Sequence, residues 1–515
     1  MVDSNIPPVY LVGAGPGHPG LLTLRAVECL RQAELVLYDR LVPLALLAHA
    51  PESARRVCVE ELPGCHPDRW PLIHQTMIDA ARGGLHVVRL KGGDPLLFGR
   101  GGEEALALRQ AGVPYEIVPG VTAALAAACA GIPLTHRLHA SAVALVTGHE
   151  QPGKPADRPG TPRLDWEALA RFPGTLVFYM GVARIESIVS ALLAHGKPAD
   201  TPAAVVHRAS TPLQRTVQAP LGELAGLVRR EAVQAPSLII VGAVVGLRDE
   251  LAWFESRPLF GKRVLVTRPR HQAADMVARV EELGGRAEVL SVVDIAEPAD
   301  WGPVDEALAR LGEYQWLVFT SSNGVHAFLR RLRHRGRDLR ALGGLRLAVI
   351  GPATAEALRG YHLEPDVTPA EYNSEALAAS LRPLAAGQRV LLARADRGIE
   401  LLREELSAVA RVDQVAVYAQ RDAGWDDRPA ALDPLALGEV DYVSLTSSNI
   451  ARGLLRALGP AAREQVRSGR VRLVSISPRT SAAVREFGLP VAAEAEEYTT
   501  EGVLAAMCRL AAQGP

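Results

Sequence analysis

The densest set of chemically capable side chains in this sequence is RLKGGDPLLFGRGGEE at 89–104. It holds all four charged residue types and five glycines, between a β-like run at 85–90 and a helix-like run at 103–110. Glycine at this density weakens any helix or strand interior, so the segment reads as a loop at the C-terminal end of a strand. In open α/β sheets that edge is where ligands bind. Bare backbone donors beside a carboxylate and a guanidinium suit a polar small molecule; the bland alternative is a surface turn with solvated charges.

A second glycine turn, GAGPG at 13–17, follows an apolar run at 9–12, and Asp39 follows the next such run at 35–38. Alone, this looks like the start of a dinucleotide-binding fold. Pro16 and the spacing break the G-x-G-x-x-G pattern, so a structural turn is at least as good a reading. The five cysteines (Cys29, Cys58, Cys65, Cys129, Cys508) form no C-x-x-C pair. Buried free thiols in a reducing compartment are expected, and no metal; Cys58 with Cys65 and His66 is the one conceivable ligand cluster.

The elements that must position these groups alternate from end to end, short β-branched runs with amphipathic helical ones, which is the α/β signature. At ~150 residues per domain, 515 residues allow roughly three or four domains. An apolar share of 48% and a charged share of 22% suit a soluble folded chain. Lys and Arg number 56 against 57 Asp and Glu, for a net charge of −1, so nothing global points to nucleic acid or an anionic membrane surface. A polyanionic substrate would be met by local arginines. Residues 1–8 are polar and do not resemble a signal peptide. The Ala-rich run at 121–130 is too short to span a membrane and reads as a buried helix. A cytoplasmic protein is expected. Pro/Gly punctuation marks an exposed loop at 151–162 and a domain linker at 256–262.

Beyond that linker the chain repeats itself. RVLVTR at 263–268 recurs as RVLLAR at 389–394, TSSN at 320–323 as TSSN at 446–449, and IGPAT at 350–354 as ISPRT at 476–480. Every pair is 126 positions apart. The half from 261 to 515 is therefore a duplicated α/β unit, expected to form two lobes around a cleft that favours a small ligand. Each repeat places Ser, Thr and Asn between a strand and a helix. Hydroxyls and free N–H groups there suit an anion, and equally serve as plain N-caps.

Taken together, VGAGPG (12–17), LLTLRA (21–26), YDRLV (38–42), the 89–104 stretch, VPGVTAA (118–124), FYMG (178–181) and PSLIIVGAVV (236–245) closely resemble the uroporphyrinogen-III C-methyltransferases of the tetrapyrrole methylase family, over about 7–255. The resemblance implies two α/β subdomains, about 7–137 and 140–250, with S-adenosylmethionine (SAM) between them, usually in a homodimer. It implies transfer of two methyl groups to uroporphyrinogen III, giving precorrin-2 for the sirohaem or cobalamin branch. The implied cofactor contacts are Pro16, Gly92, Gly93, Asp94, Leu97, Thr122, Ala123, Met180 and Ala209. Arg100 and Glu103 match positions near the macrocycle, and Asp39 matches a proton acceptor. Three positions depart from the family: His18 replaces an aspartate, Ala209 a frequent glycine, and Glu61 a lysine assigned as proton donor, so no donor is assigned. Ala209 is tolerated if its φ is negative and strained otherwise.

VLVTRP (264–269), FTSSNGV (319–325), IGPATAEAL (350–358), LLARAD (391–396), VYAQ (417–420), LTSSN (445–449) and ISPRTSAAVREFGL (476–489) resemble uroporphyrinogen-III synthase, over about 261–512. The implied fold has one lobe of 261–295 with 421–515 and another of 296–420. The implied reaction closes hydroxymethylbilane into uroporphyrinogen III, inverting the last ring, without a cofactor. Tyr418 matches a tyrosine that helps the hydroxyl leave. Ser322, Thr354, Ser447 and Thr480 are expected carboxylate contacts, with Arg268 and Arg397 as local positive charge. Two other readings stand beside this one: methylation of a later corrinoid or an RNA ribose, and a C-terminal half that is a tetrapyrrole-binding regulator.

Overall fold

The computed structural model describes residues 6–62, 69–148, 164–398, 400–422 and 429–514. The loop expected at 151–162, and Cys65 with His66, lie outside the described residues. The chain divides into two compact units, 1–261 with 283–286, and 262–282 with 287–515.

The first unit holds two five-stranded sheets. One is wholly parallel, with strands in the order Arg55–Cys58, Leu35–Tyr38, Val87–Lys91, Val9–Gly13, Tyr115–Val118. Its central strand Val87–Lys91 is buried along its whole length, as a parallel strand covered on both faces must be. Val88 and Leu90 pack toward Ala26 and Leu30 of helix Leu24–Arg31. Val87, on the other face, packs toward helices Arg69–Arg82 and Gly101–Gln110. Thr23 starts the first of these helices, its hydroxyl accepting from Ala26 N at 3.2 Å.

The second sheet runs Val143–Thr147, Thr175–Tyr179, Ser237–Val241, Pro202–His207, Arg215–Pro220, and only its first pair is parallel. Helices Ile185–Ala194 and Leu221–Arg230 cover one face. The Ala-rich run covers the other, as a 3-10 helix, Ala123–Ala130. Its small side chains let the backbone lie close on the sheet.

In the second unit the repeat is visible strand by strand. One sheet orders Arg286–Val289, Arg263–Val266, Tyr442–Leu445, Arg472–Ser475, Ala493–Glu494. The other orders Val293–Ala296, Arg411–Asp422, Arg389–Ala395, Trp316–Phe319, Arg346–Val349. Helices Ser322–His334 and Ser448–Ala457, then Pro352–Arg359 and Pro478–Arg485, begin 126 residues apart. Strand Val293–Ala296 straddles the 295/296 changeover expected from sequence; it pairs along its length with Arg411–Asp422, so the chain changes sheets between 289 and 293. No described helix is long and apolar enough to cross a membrane.

Candidate functional site

Four loops leave the C-terminal edge of the parallel sheet side by side. After strands Val9–Gly13 and Val87–Lys91, Gly15 and Gly93 exchange backbone hydrogen bonds of 3.2 and 2.9 Å. Gly93 sits at φ +69°, in the left-handed region that favours glycine. Beneath them Gly13 and Gly120 touch backbone to backbone: a Cβ on Gly120 would lie 2.2 Å from the Gly93 carbonyl oxygen and 2.7 Å from Gly13 Cα. The floor of the site is therefore bare main chain. A Cβ on Gly92, by contrast, would meet only Leu41 at 3.8 Å, so the space above it is open.

Asp94 ties this floor together. Its Oδ1 accepts from Leu96 N and Leu97 N at 2.9 and 3.0 Å, and Oδ2 accepts from Gly120 N at 3.0 Å. A ligand would share a carboxylate already engaged by three backbone donors. Leu97 and Ala123 are half-buried against the core beside the second sheet. Met180 follows strand Thr175–Tyr179 at φ 56° and is 52% exposed, so its thioether is a surface wall and not core filling. The Thr122 hydroxyl lies 2.6 Å from Tyr179 Oη, and the same phenol accepts from Ala124 N at 3.0 Å. Tyr179 thus clamps the loop after strand Tyr115–Val118 to the second sheet. Pro16, in the first loop, is half-buried.

Asp39, the loop residue after strand Leu35–Tyr38, contacts the buried Arg89 guanidinium with Oδ1, and Oδ2 accepts from Gly92 N at 3.4 Å. Arg100, at φ 59°, precedes helix Gly101–Gln110; its Nε donates to Glu103 at 3.0 Å while its guanidinium lies 3.9 Å from the centre of the Trp70 ring. Arg100 and Glu103 are about half exposed, so this pair can open toward a ligand at little cost.

In the second unit Tyr418 is 5% exposed, and its hydroxyl lies 3.0 Å from Ser321 Oγ. Burial pushes the phenol above its ordinary pKa. Asn323 accepts from Gln272, and Asn449 donates to Gln420 at 3.0 Å, so the Asn of each TSSN repeat pairs with a glutamine of the opposite lobe. The candidate hydroxyls are engaged within their own lobes. Ser447 accepts from Ile450 N at 3.2 Å as an N-cap, Ser322 donates to Ala353 O at 2.9 Å, and Thr480 lies 3.2 Å from Ser477 Oγ. Thr354 and Thr480 are buried. Arg397 pairs with Asp422 at 2.9 Å on an exposed edge. Arg268 donates to Thr500 Oγ1 at 3.1 Å and forms no salt bridge among the described residues; burial lowers its guanidinium's pKa.

The family model for tetrapyrrole (corrin/porphyrin) methylases matches residues 8–225, and that for uroporphyrinogen-III synthase HemD matches 274–505. The chain is 32% identical over 487 residues to the porphyrin biosynthesis protein HemD of Ruminiclostridium josui, which covers 93% of this chain and 94% of that one. The chain belongs to this HemD family. It joins a tetrapyrrole methylase unit to a uroporphyrinogen-III synthase unit. It is also 38% identical over 340 residues to a uroporphyrinogen-III C-methyltransferase of Bacillus subtilis, covering 65% of this chain and 68% of that one. A siroheme synthase of Stutzerimonas stutzeri is 50% identical over 49% of this chain, which spans about half of that protein (53%).

Within the methylase unit, two departures from the family pattern are explained by neighbouring loops. His18 Nδ1 accepts from Gly20 N at 3.0 Å, capping the turn Pro19–Leu21 as an aspartate would. Its own N–H reaches Ser210 Oγ at 3.3 Å, which brings the loop around Ala209 against the first glycine turn. Positive φ falls on Arg208 and Ser210, not on Ala209, so alanine carries no strain there. Glu61 is exposed at the end of turn Val59–Glu61. Sequence reasoning missed Tyr179, although the motif quoted for Met180 contains it. It also missed Arg89, Lys91 and Glu104, all three fully buried. Two cations at alternate positions of an apolar strand were the available signal, because both must face the same covered side.

Proposed function

We propose that the synthase unit closes hydroxymethylbilane into uroporphyrinogen III with inversion of the last ring, and that the methylase unit then transfers two methyl groups to it, giving precorrin-2. The observation that carries the methylase reading is the main-chain floor of Gly13, Gly93 and Gly120 beside an exposed Met180. Such a floor admits a flat polar cofactor that side chains would exclude, so the residues present fit SAM. Pro16, Gly92, Gly93, Leu97, Thr122, Ala123 and Met180 would hold it, with Ala209 behind the first turn and Asp94 fixing the loops. SAM supplies an electrophilic methyl group.

The chain's own groups do the rest. Arg100 leaves Glu103 to hold a substrate carboxylate bidentately. Asp39 accepts the proton that methylation of the macrocycle must release. In the synthase unit Tyr418, held neutral by its raised pKa and oriented by Ser321, donates a proton so that the hydroxyl departs as water. Arg268, with the helix N-termini at Ser322, Thr354, Ser447 and Thr480, meets substrate carboxylates, and Arg397 adds only screened positive charge at the exposed edge. Enforcing the folded geometry of the linear substrate can contribute ~7–11 kcal/mol.

Incubating the protein with hydroxymethylbilane and SAM tests the reading. A doubly methylated type III product supports it; unmethylated or type I porphyrin alone overturns it. The methylase unit also exposes Leu41, Leu44 and Leu138 at 65%, 69% and 81%, apolar surface suited to a second copy. A homodimer by light scattering is expected, and a monomer at micromolar concentration refutes it.

A further inference from the structure

Arg89 and Lys91 stand two residues apart on strand Val87–Lys91, so both side chains leave the same face of the sheet. They are 0% and 1% exposed. Glu104, in the first turn of helix Gly101–Gln110 and also 0% exposed, meets both cations with one oxygen: Arg89 Nε lies 3.0 Å and Lys91 Nζ 2.9 Å from Oε1. Among the described residues Oε2 is buried without a hydrogen-bond partner. The far end of the Arg89 guanidinium contacts Asp39, whose side chain is 26% exposed. Asp39 is thus the one member of the set of four that reaches the open side of the site.

Two buried cations and one buried carboxylate leave an unbalanced positive charge, and an uncompensated buried charge is strongly destabilising. Asp39 supplies the balance. When it takes a proton that balance is lost, so residues that never touch the substrate set how readily the proton is taken. We propose that Arg89, Lys91 and Glu104 are positioning residues for proton removal: Arg89 holds the Asp39 carboxylate, and the Lys91–Glu104 charge balance governs its proton uptake. This rests on the reading of Asp39 as the proton acceptor. In that step the macrocycle C–H bond breaks, its electron pair stays in the ring system, and the proton passes to Asp39. Burial and then the neighbouring Arg89 guanidinium push the Lys91 ammonium below its ordinary pKa, in keeping with a cation under strain from its surroundings.

Other charged groups also lie around this set of four. Arg40 follows it in the chain, and its N–H bonds Glu60 at 3.0 Å in the turn that ends at Glu61. The Arg100–Glu103 pair starts helix Gly101–Gln110, and helix Arg69–Arg82 contributes His74, whose imidazole burial pushes downward. These groups are unchanged in the variants below and enter every profile alike.

The test is the pH–rate profile of methyl transfer by the full chain with SAM and uroporphyrinogen III. Glu104→Gln leaves excess positive charge, so its acidic limb should move down by about one pH unit. Lys91→Met leaves excess negative charge, and its limb should move up by about as much. The double variant restores the balance and should return to the wild-type limb, as should Glu104→Asp. Folded single variants that share the wild-type limb, or that move in the same direction, overturn the proposal. Should the single variants fail to fold, the double variant decides: a wild-type limb supports the proposal and a limb displaced by a unit overturns it. An Asp39→Asn variant with full activity would instead sink the reading of Asp39 itself.

Discussion

At the strand ends of the methylase unit, Arg89, Lys91, Glu104 and Asp39 form one connected charged set beneath a floor of bare main chain. Around Tyr418 in the synthase unit the hydrogen-bonding neighbours are a hydroxyl and amides, Ser321, Asn323 and Gln420, and the one charge that acts on it, Arg394, does so at longer range. The two arrangements differ in what they can tolerate. Buried charges need complete pairing, and a tight main-chain floor has no slack, so the first site is rigid and vulnerable to single changes. Neutral hydroxyls and amides cost less to bury and can exchange partners. The paired Asn–Gln contacts between lobes are of that exchangeable kind, which would suit the proposed folding of a linear substrate.

The most damaging test of this contrast is Gly120→Ala. Its methyl carbon would sit 2.2 Å from a carbonyl oxygen and 2.7 Å from another Cα, both main chain, so the loops must separate. Overpacking of this kind costs typically ~1–3 kcal/mol or more. Methyl transfer should fall below detection while ring closure by the same chain stays near wild type; equal loss of both activities would break the contrast. Next comes Tyr418→Phe, which removes the proposed proton donor and spares the packing. Ring closure should slow by ~100-fold at unchanged methyl transfer, at the low end of general-acid contributions. A rate within twofold of wild type would remove Tyr418 from the chemistry.

Asp94→Asn should act more moderately. An amide offers one acceptor oxygen where the carboxylate serves three N–H donors, at most part-buried, so at least one loses its partner at a cost of about 1 kcal/mol. The expected result is a lower melting temperature for the methylase unit and weaker SAM binding by calorimetry. Loss of SAM affinity without loss of stability would show that Asp94 touches the cofactor directly.

What could be read from the sequence was local. The 126-residue repeat, the strand-to-helix hydroxyls and the glycine turns depend on neighbours in the chain, and the two sheets of the synthase unit repeat their strand order accordingly. What escaped depended on residues brought together from afar. Asp94 looked like a free ligand carboxylate because the N–H of Gly120, 26 residues on, could not be seen to reach it. Arg89, Lys91 and Glu104 lie inside the 89–104 stretch, yet a loop with ligand-facing charges is all that stretch suggests until the strand is known to be covered on both faces. The hydroxyls of Ser447 and Thr480 read as anion contacts, and the structure gives both a bond within their own lobe, because capping and anion binding call on the same residue types.

The smallest effect expected separates the two arginines of the synthase unit. Arg397 is half exposed and already paired with Asp422, so a substrate carboxylate would have to displace a screened partner for little gain. Arg268 is more deeply placed and bonds a neutral hydroxyl, Thr500 Oγ1, while Asp275 and Glu501 act on it from beyond salt-bridge distance. Its desolvation is already paid for in the folded chain, and an incoming carboxylate would gain a charge-assisted hydrogen bond without displacing a salt-bridge partner among the described residues. Arg268→Ala should therefore raise the KM for hydroxymethylbilane about tenfold at unchanged kcat, the size of one charged hydrogen bond. Arg397→Ala should change it by less than about twofold. The reverse order would place the substrate carboxylates on the exposed edge of the lobe, away from Arg268.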